Sequence, residues 1–320
     1  DHVDMKAYNY LNQSGVYEVG KINDKEFYED VLKSFGELGF SAPQQDAIWR
    51  LLSTVLQLGN LVVDTSVYVE SSKACGISPT DHWAKLGKLL NVSLDSLREA
   101  LTFRELKVGG MVTKSPLTPE RVKNTIDSLA KEIFNRIFNW IVKKLNVSLL
   151  PPDPEHPNLA TIGILDIFGF EIFEKNSLEQ FMINYANERL QSLYIEYIFK
   201  NECKIFEEEG LGEFTSLIKY KDNKPLVLIL DNPRLPPGIF DLVDQTCTMN
   251  KNDETLFVEI KRAHEKCPHL GFPKFANVSN FTVRHTARDV EYATEGFVEK
   301  NKDELSPFLQ GVIDTCDAEV

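Results

Sequence analysis

The sequence predicts an α/β protein that is predominantly helical, with one strand of a larger sheet and a few small β-hairpins. Three observations carry that expectation. Apolar residues recur three and four apart over 118–146 and again over 177–209, the period of amphipathic helices. A short apolar run at 160–165, with Ile162 and Ile164 alternating, leads into Asp166 and then Gly169. That is the pattern of a strand covered on both faces, with an acidic residue at its carboxyl end. Residues 61–69 and 281–292 are β-rich and partly alternating, as hairpin arms are.

Taken in chain order, Asn23 or Asp24 caps a short helix over 23–40 with Phe27, Val31 and Phe35 on one face. Ser41-Ala42-Pro43-Gln44 starts a second helix by a capping box and an early proline. Its apolar face is Ile48, Leu51, Leu52, Val55 and Leu56, and Gly59 closes it. Two short helices are expected over 80–103, the second capped by Ser93. Residues 104–115, with Gly109-Gly110, Lys107 and Lys114, read as an exposed loop of locally positive character. Thr118-Pro119-Glu120 opens a long helix to about residue 146, and Pro151-Pro152-Asp153-Pro154 ends it and marks a subdomain boundary. Beyond the expected strand, Ser177 and Gln180 form a capping box for a helix that runs to Gly210. That rod has about 32 residues and a length on the order of 48 Å. It can carry a small change at its first turn to a distant point if it has two packed positions.

The 320 residues suffice for two domain-sized cores or one large one. With 42% hydrophobic and 26% charged residues, the composition is that of a soluble globular protein. The net charge of -13 argues against broad nucleic-acid binding, which needs a basic footprint. No apolar run approaches the roughly 18 residues of a transmembrane segment, and the opening Asp1-His2-Val3-Asp4 is no signal peptide and is what an internal piece of a longer chain would show. Five scattered cysteines without a Cys-x-x-Cys pair favour reduced thiols in the cytoplasm. His264, Cys267 and His269 have metal-like spacing but lack a fourth ligand, so no metal site is expected there.

Asp166-Ile167-Phe168-Gly169-Phe170-Glu171 resembles the switch II loop of the myosin motor. Asn176-Ser177-Leu178-Glu179-Gln180-Phe181 and Ile183-Asn184-Tyr185-Ala186-Asn187-Glu188-Arg189-Leu190-Gln191 follow it and resemble the start of the myosin relay helix. Residues 7–15 are similar to the segment shortly after switch I. Residues 236–244 with 253–257 are similar to the helix-loop-helix by which the lower half of the myosin cleft grips actin, with its tip at 248–252. Residues 104–115 correspond by position to the actin-contacting cardiomyopathy loop, and 299–303 match a further signature. The resemblance runs from about residue 8 to 303.

It implies a portion of a P-loop NTPase-type motor of cytoplasmic location on the actin cytoskeleton. Residues 1–155 would be the upper half of the actin-binding cleft, 156–175 a strand of the central sheet with switch II, and 176–320 the relay helix and the lower half. The implied cofactors are ATP and magnesium. Asp166 would orient the magnesium shell through a bound water, and Ile167, Phe168 and Gly169 would contact the nucleotide. The Gly169 amide would donate to the γ-phosphate, and Glu171 would pair with a switch I arginine and help position the attacking water. Lys107, Met111, Lys114, Pro237, Gly238, Thr248, Met249, Asn250 and Lys251 would face filamentous actin. The remaining heavy-chain segments and light chains would be the other partners.

The chain departs from the family pattern at three places. Met111 stands where many myosins carry an acidic or phosphorylatable residue, leaving Thr113 or Ser115 to substitute. Phe214 replaces a tryptophan, and His285-Thr286 replaces His-Tyr. The last two point to the divergent class of apicomplexan parasites. No Gly-x-x-x-x-Gly-Lys-[Ser/Thr] motif and no switch I sequence occur in the 320 residues. Phosphoryl transfer rests on positioning and charge stabilisation, so this chain alone is expected to hydrolyse ATP poorly. Two alternatives stand beside this reading. One is a non-catalytic myosin-like filament-binding protein. The other is a stand-alone hydrolase using Asp166 and Glu171, disfavoured because two carboxylates on one tight loop do not readily flank a scissile bond.

Overall fold

In the computed structural model the described residues are 4–70, 72–108, 111–150, 160, 162–249, 251–274, 279–301 and 309–311. The chain divides into two compact units, one of residues 1–160 with 304–320 and one of 161–303.

In the first unit, α1 (Asp24–Glu37) is capped by the Asn23 side chain, which accepts from the Lys25 and Glu26 amides. Only part of its expected apolar face is covered. Phe35 packs on Phe40 with ring centroids 4.8 Å apart, while Phe27 stays 69% exposed. α2 (Ala42–Gly59) begins as predicted, with the Ser41 amide donating to Gln44 Oε1 at 3.0 Å. Its buried stripe is turned relative to the expected one. Thr54 and Gln57 lie inside, and Leu51, Leu52 and Val55 are half-buried. Burying polar residues costs little when they are hydrogen-bonded. Thr54 Oγ1 donates to Arg50 O at 3.0 Å, and Gln57 Oε1 lies 2.6 Å from His82 Nδ1. At the end of α2 a Cβ on Gly59 would lie 2.7 Å from the Tyr10 ring. Tyr10 reaches across to Asp127 Oδ1 at 2.5 Å, so glycine is required for this crossing.

β1 (Val63–Asp64) pairs antiparallel with β2 (Gly76–Ile77), so only two residues of the expected strand over 61–69 enter a ladder. α3 (Asp81–Leu90) and α4 (Leu94–Thr102) match the two helices expected, with Thr80 and Ser93 at their starts. Residues 104–115 are a correction. They are not an open loop but an antiparallel ribbon of β3 (Phe103–Val108) and β4 (Met111–Pro116), in register from Phe103↔Pro116 to Val108↔Met111. The Gly109-Gly110 pair that separates the strands in sequence has the composition of a two-residue hairpin connection, and it lies outside the described residues. α5 (Pro119–Ser148) is the spine of this unit. Val122, Ile126, Leu129, Ala130, Ile133 and Ile137 form its buried stripe, against Ile48 and Leu58 of α2, Leu86 of α3 and Leu101 of α4. The proline stretch at 151–154 lies outside the described residues.

The second unit begins with a further correction. Ile162, Ile164 and Leu165 are 92%, 95% and 66% exposed, and this segment joins no ladder among the described residues. A strand exists only through its neighbours' hydrogen bonds, and the described chain provides none here. α6 (Leu178–Ile195) starts at the predicted cap, with Ser177 N donating to Gln180 Oε1 at 3.1 Å. A π-helical turn (Glu196–Lys200) carries the rod into α7 (Asn201–Glu208), and Gly210 closes it at φ +76°. The predicted long helix is therefore present, with one wider turn inside it. That turn coincides with Phe199 stacking on Tyr220 at 5.1 Å and Lys200 Nζ bonding Asp222 at 2.7 Å.

α8 (Lys224–Leu230) was not anticipated. α9 (Ile239–Thr248) and α10 (Asp253–His264) form the predicted helical pair, followed by an antiparallel sheet of β5 (Leu270–Gly271), β6 (Asn280–Arg284) and β7 (Asp289–Ala293), and by α11 (Phe297–Lys300). The core is built around the fully buried Phe181, whose ring lies 4.9 Å from Phe240, 5.1 Å from Tyr292, 5.8 Å from Phe281 and 5.9 Å from Phe297. Truncating so many contacts leaves a cavity, and Phe181→Ala should lower unfolding free energy by about 3–5 kcal/mol. Chemical denaturation of the two proteins measures this; a loss below about 1 kcal/mol would contradict the described core.

Candidate functional site

The loop 166–176 has irregular backbone, and buried backbone groups still need partners. Polar side chains of and just before α6 supply them. Asn176 Oδ1 accepts from Phe173 N at 2.8 Å, and its Nδ2 donates to Phe173 O and Glu291 O, each at 3.0 Å. Asn184 Oδ1 accepts from Glu171 N at 2.8 Å, and its Nδ2 donates to Glu171 O at 2.8 Å and Tyr292 Oη at 2.7 Å. Asn187 Nδ2 donates to Phe168 O at 3.0 Å, and Gln180 Nε2 to Glu171 Oε2 at 3.3 Å. Residues 176, 180, 184 and 187 are spaced three and four apart, so they share one helix face. The neighbouring face carries Phe181 into the core together with Leu178.

One turn further, Glu188 is fully buried. Its Oε1 accepts from Thr286 N at 2.6 Å and its Oε2 from Asn223 Nδ2 at 2.6 Å and Thr286 Oγ1 at 2.8 Å. Burial pushes this carboxyl toward the neutral form. The His285 ring, the Thr286 amide and hydroxyl and the Asn223 amide outweigh it and hold the pKa down at about 2. His285 Nε2 lies 2.8 Å from Tyr292 Oη, and its ring meets the Phe170 ring edge-on at 5.3 Å. Burial raises the Tyr292 pKa. Thus α6, the start of α8 and the turn after β6 converge behind the loop.

The sequence-predicted residues fall in different places. Asp166, Ile167, Phe168 and Gly169 are exposed, and Glu171 is half-buried. A Cβ on Gly169 would meet no described atom of this chain, so nothing within it demands glycine at that position. Lys107 and Met111 lie on β3 and β4, opposite Val112 and Val108. Lys114 is tied back to Glu99 of α4 at 2.7 Å rather than standing free. Pro237 and Gly238 precede α9; Pro237 O accepts from His264 Nε2 at 2.8 Å. A Cβ on Gly238 would fall 2.4 Å from Asn232 N, so here glycine is a steric requirement. Thr248 ends α9, Met249 and Lys251 are exposed, and Asn250 lies outside the described residues. Sequence reasoning quoted Asn184, Asn187, Glu188 and His285-Thr286 only as motif letters. It assigned no role to them and missed Asn223 and Tyr292. The available signal was polar residues at helical spacing on a face next to an apolar one.

A helical body with small antiparallel sheets, in which a glycine-bearing acidic loop is pinned to the first turns of a long helix, defines the class. A family model described as Myosin head (motor domain) matches residues 2–320, and the chain belongs to that family. It is 36% identical over 309 residues to Myosin-I heavy chain of Dictyostelium discoideum, covering 95% of this chain and 13% of that one. It is 35% identical over 302 residues to Myosin-16 of Arabidopsis thaliana, covering 94% and 24%. With Unconventional myosin ID of Drosophila melanogaster it shares 36% over 309 residues, covering 93% and 29%. The chain therefore spans less than a third of each of these relatives.

Glu188 offers a direct check. A carboxyl whose pKa falls from 4.5 unfolded to about 2 folded adds stability that is fully present above pH 4.5 and lost as pH drops through about 2. Glu188→Gln places a donor against the Thr286 and Asn223 donors and should cost about 1–3 kcal/mol at neutral pH. It should also flatten the dependence of unfolding free energy on pH between those two values. Urea titrations across that range measure both, and identical slopes for the two proteins would refute the assignment.

Proposed function

We propose that this chain is the cleft-and-relay portion of a P-loop NTPase-type myosin motor that couples magnesium-ATP hydrolysis to binding of filamentous actin. The observation that carries the proposal is the pinning of the 166–171 loop to α6. A loop that answers a phosphate on one side and is bonded to a long helix on the other can pass its displacement along that helix. The residues fit the nucleotide. Asp166 is exposed and makes no ion pair among the described residues, and the Gly169 side of the loop is open. The magnesium-nucleotide supplies the phosphoryl group when bound. Asp166 would orient the metal's water shell, Ile167, Phe168 and Gly169 would contact the nucleotide, and the Gly169 N–H would donate to the phosphate. Glu171 would pair with a cation from another segment and help position the attacking water.

The first unit and the α9–α10 pair are read as the two sides that meet actin. Lys107, Met111 and Lys114 lie on the first, and Pro237, Gly238, Thr248, Met249, Asn250 and Lys251 on the second. The ion pair to Glu99 makes Lys114 the weakest of these contacts. No Walker-type phosphate loop occurs in the 320 residues, so heavy-chain segments outside them supply the remaining nucleotide contacts. Light chains belong to the full-length protein, whose place is the cytoplasmic actin cytoskeleton.

Magnesium-ATP turnover with and without filamentous actin, on this chain and on its full-length parent, tests the reading. Actin-stimulated turnover by the parent alone is expected. Turnover by this chain alone would overturn the division of labour. Actin binding without turnover by either would make it a non-catalytic filament-binding protein. In the parent, Gly169→Ala should lower turnover by roughly a hundredfold or more while sparing nucleotide binding; unchanged turnover would remove Gly169 from the site.

A further inference from the structure

Within the second unit a cleft of about 640 Å³ opens between α9, α10 and the segment 233–237 that leads into α9. That volume lies inside the range of roughly 300–1,000 Å³ over which proteins hold small ligands. The lining is largely apolar. Leu242 is buried and Ala263 half-buried, and Pro233 and Pro236 contribute from the segment before α9. Leu235 and Met249 line it too, yet they are 91% and 60% exposed. Large apolar side chains left open around a concavity can be covered by a ligand seated there.

Hydrogen bonds hold the segment side of the cleft in place. Asn232 closes it into a ring: its Oδ1 accepts from Arg234 N at 3.2 Å, its Nδ2 donates to Pro236 O at 2.9 Å, and its carbonyl accepts from Gly238 N at 2.8 Å. From α10, His264 Nε2 donates to Pro237 O at 2.8 Å. A wall fixed in this way costs little ordering when a ligand binds. The charged groups decide which ligand. Asp241 accepts from Gln245 Nε2 at 2.7 Å, and Glu259 pairs with Arg262, so both carboxylates of the lining are engaged. Arg234 and Lys251 are exposed and enter no ion pair among the described residues. Their head groups offer only donors, which an anion satisfies best. The cleft thus carries an excess of cations over carboxylates in a chain whose net charge is -13.

We propose that this cleft binds an aliphatic carboxylate of the fatty-acid type. Arg234 and Lys251 hold the carboxylate, and the apolar body covers Leu235, Leu242 and Met249. The site lies wholly within the second unit and is read without reference to nucleotide or filament, so it stands whether or not this face also meets actin.

The test uses the full chain labelled with 13C at the methionine methyl groups and titrated with decanoate below its micelle concentration. Of the four methionines Met5, Met111, Met182 and Met249, Met249 lines the cleft. Its signal should shift to saturation while the other three stay in place. Decyltrimethylammonium, with the same tail and a cationic head, and acetate, with the head and no tail, should each bind about tenfold or more weakly. With Arg234→Gln and Lys251→Gln together, decanoate affinity should fall about tenfold, as for loss of charge-assisted hydrogen bonds. Equal shifts of all four signals, equal affinity for either control compound, or unchanged affinity in the double variant overturns the proposal. Binding of an oligoglutamate peptide without binding of decanoate also overturns it, in favour of an acidic protein partner. Both substituted side chains are exposed; if the double variant does not fold, the comparison of the three compounds on the unsubstituted chain decides alone.

Discussion

The side-chain amide of Asn184 is the constraint on which the second unit's candidate site depends. The 166–175 segment joins no ladder among the described residues, and an isolated bridge from Asn176 to Tyr292 of β7 lies at its end, so its backbone cannot satisfy itself through a ladder. Asn184 answers by presenting an acceptor and a donor to one residue, Glu171, much as a paired strand would. Asn176 does the same for Phe173. The Asn176 and Asn184 side chains are buried, and leaving a buried amide unpaired carries a desolvation penalty. The loop is therefore attached to α6 at defined points rather than lying against it.

That attachment also explains why a carboxylate is tolerated in the interior. A buried anion is costly unless its oxygens are hydrogen-bonded. Glu188 has donors on both oxygens, from Thr286 and from Asn223. The two donor residues come from different chain segments, so the carboxylate joins α6, the start of α8 and the turn between β6 and β7. Together with the aromatic cluster at Phe181, this makes the first half of α6 the shared wall of the core and the candidate site. Beyond it the helix passes through the π-helical turn, where the Lys200–Asp222 pair and the Phe199–Tyr220 stack take over as its contacts.

Particular elements show how far local chemistry carried. The Asn23, Ser41, Thr118 and Ser177 starts were legible because a cap is a contact between a residue and its own next turn. The stripe of α5 was legible for a similar reason, since period alone places Val122, Ile126, Leu129 and Ile133 on one side. The ribbon of β3 and β4 was misread because its two glycines and flanking lysines look like a solvated loop when the cross-strand register is not considered. The short apolar α8 gave no period long enough to read. The candidate loop was recognised by its motif, but the residues that hold it were not, because Asn223, His285 and Tyr292 stand 35 to 108 positions from their partners on α6.

The sequence by itself determined the longer helices and their caps, the strand pair at 281–292 and membership of the myosin head family, all of which depend on order along the chain. Tertiary structure alone decided which polar residues of α2 and α6 turn inward, and it left residues 162–165 exposed and outside any ladder among the described residues. It also aligned the bonds from Glu171 through Asn184 and Tyr292 to His285. The physical reason is range. Caps and periods are satisfied within a turn or two of helix, whereas a buried polar network and a sheet ladder exist only when distant segments bring each donor to its acceptor.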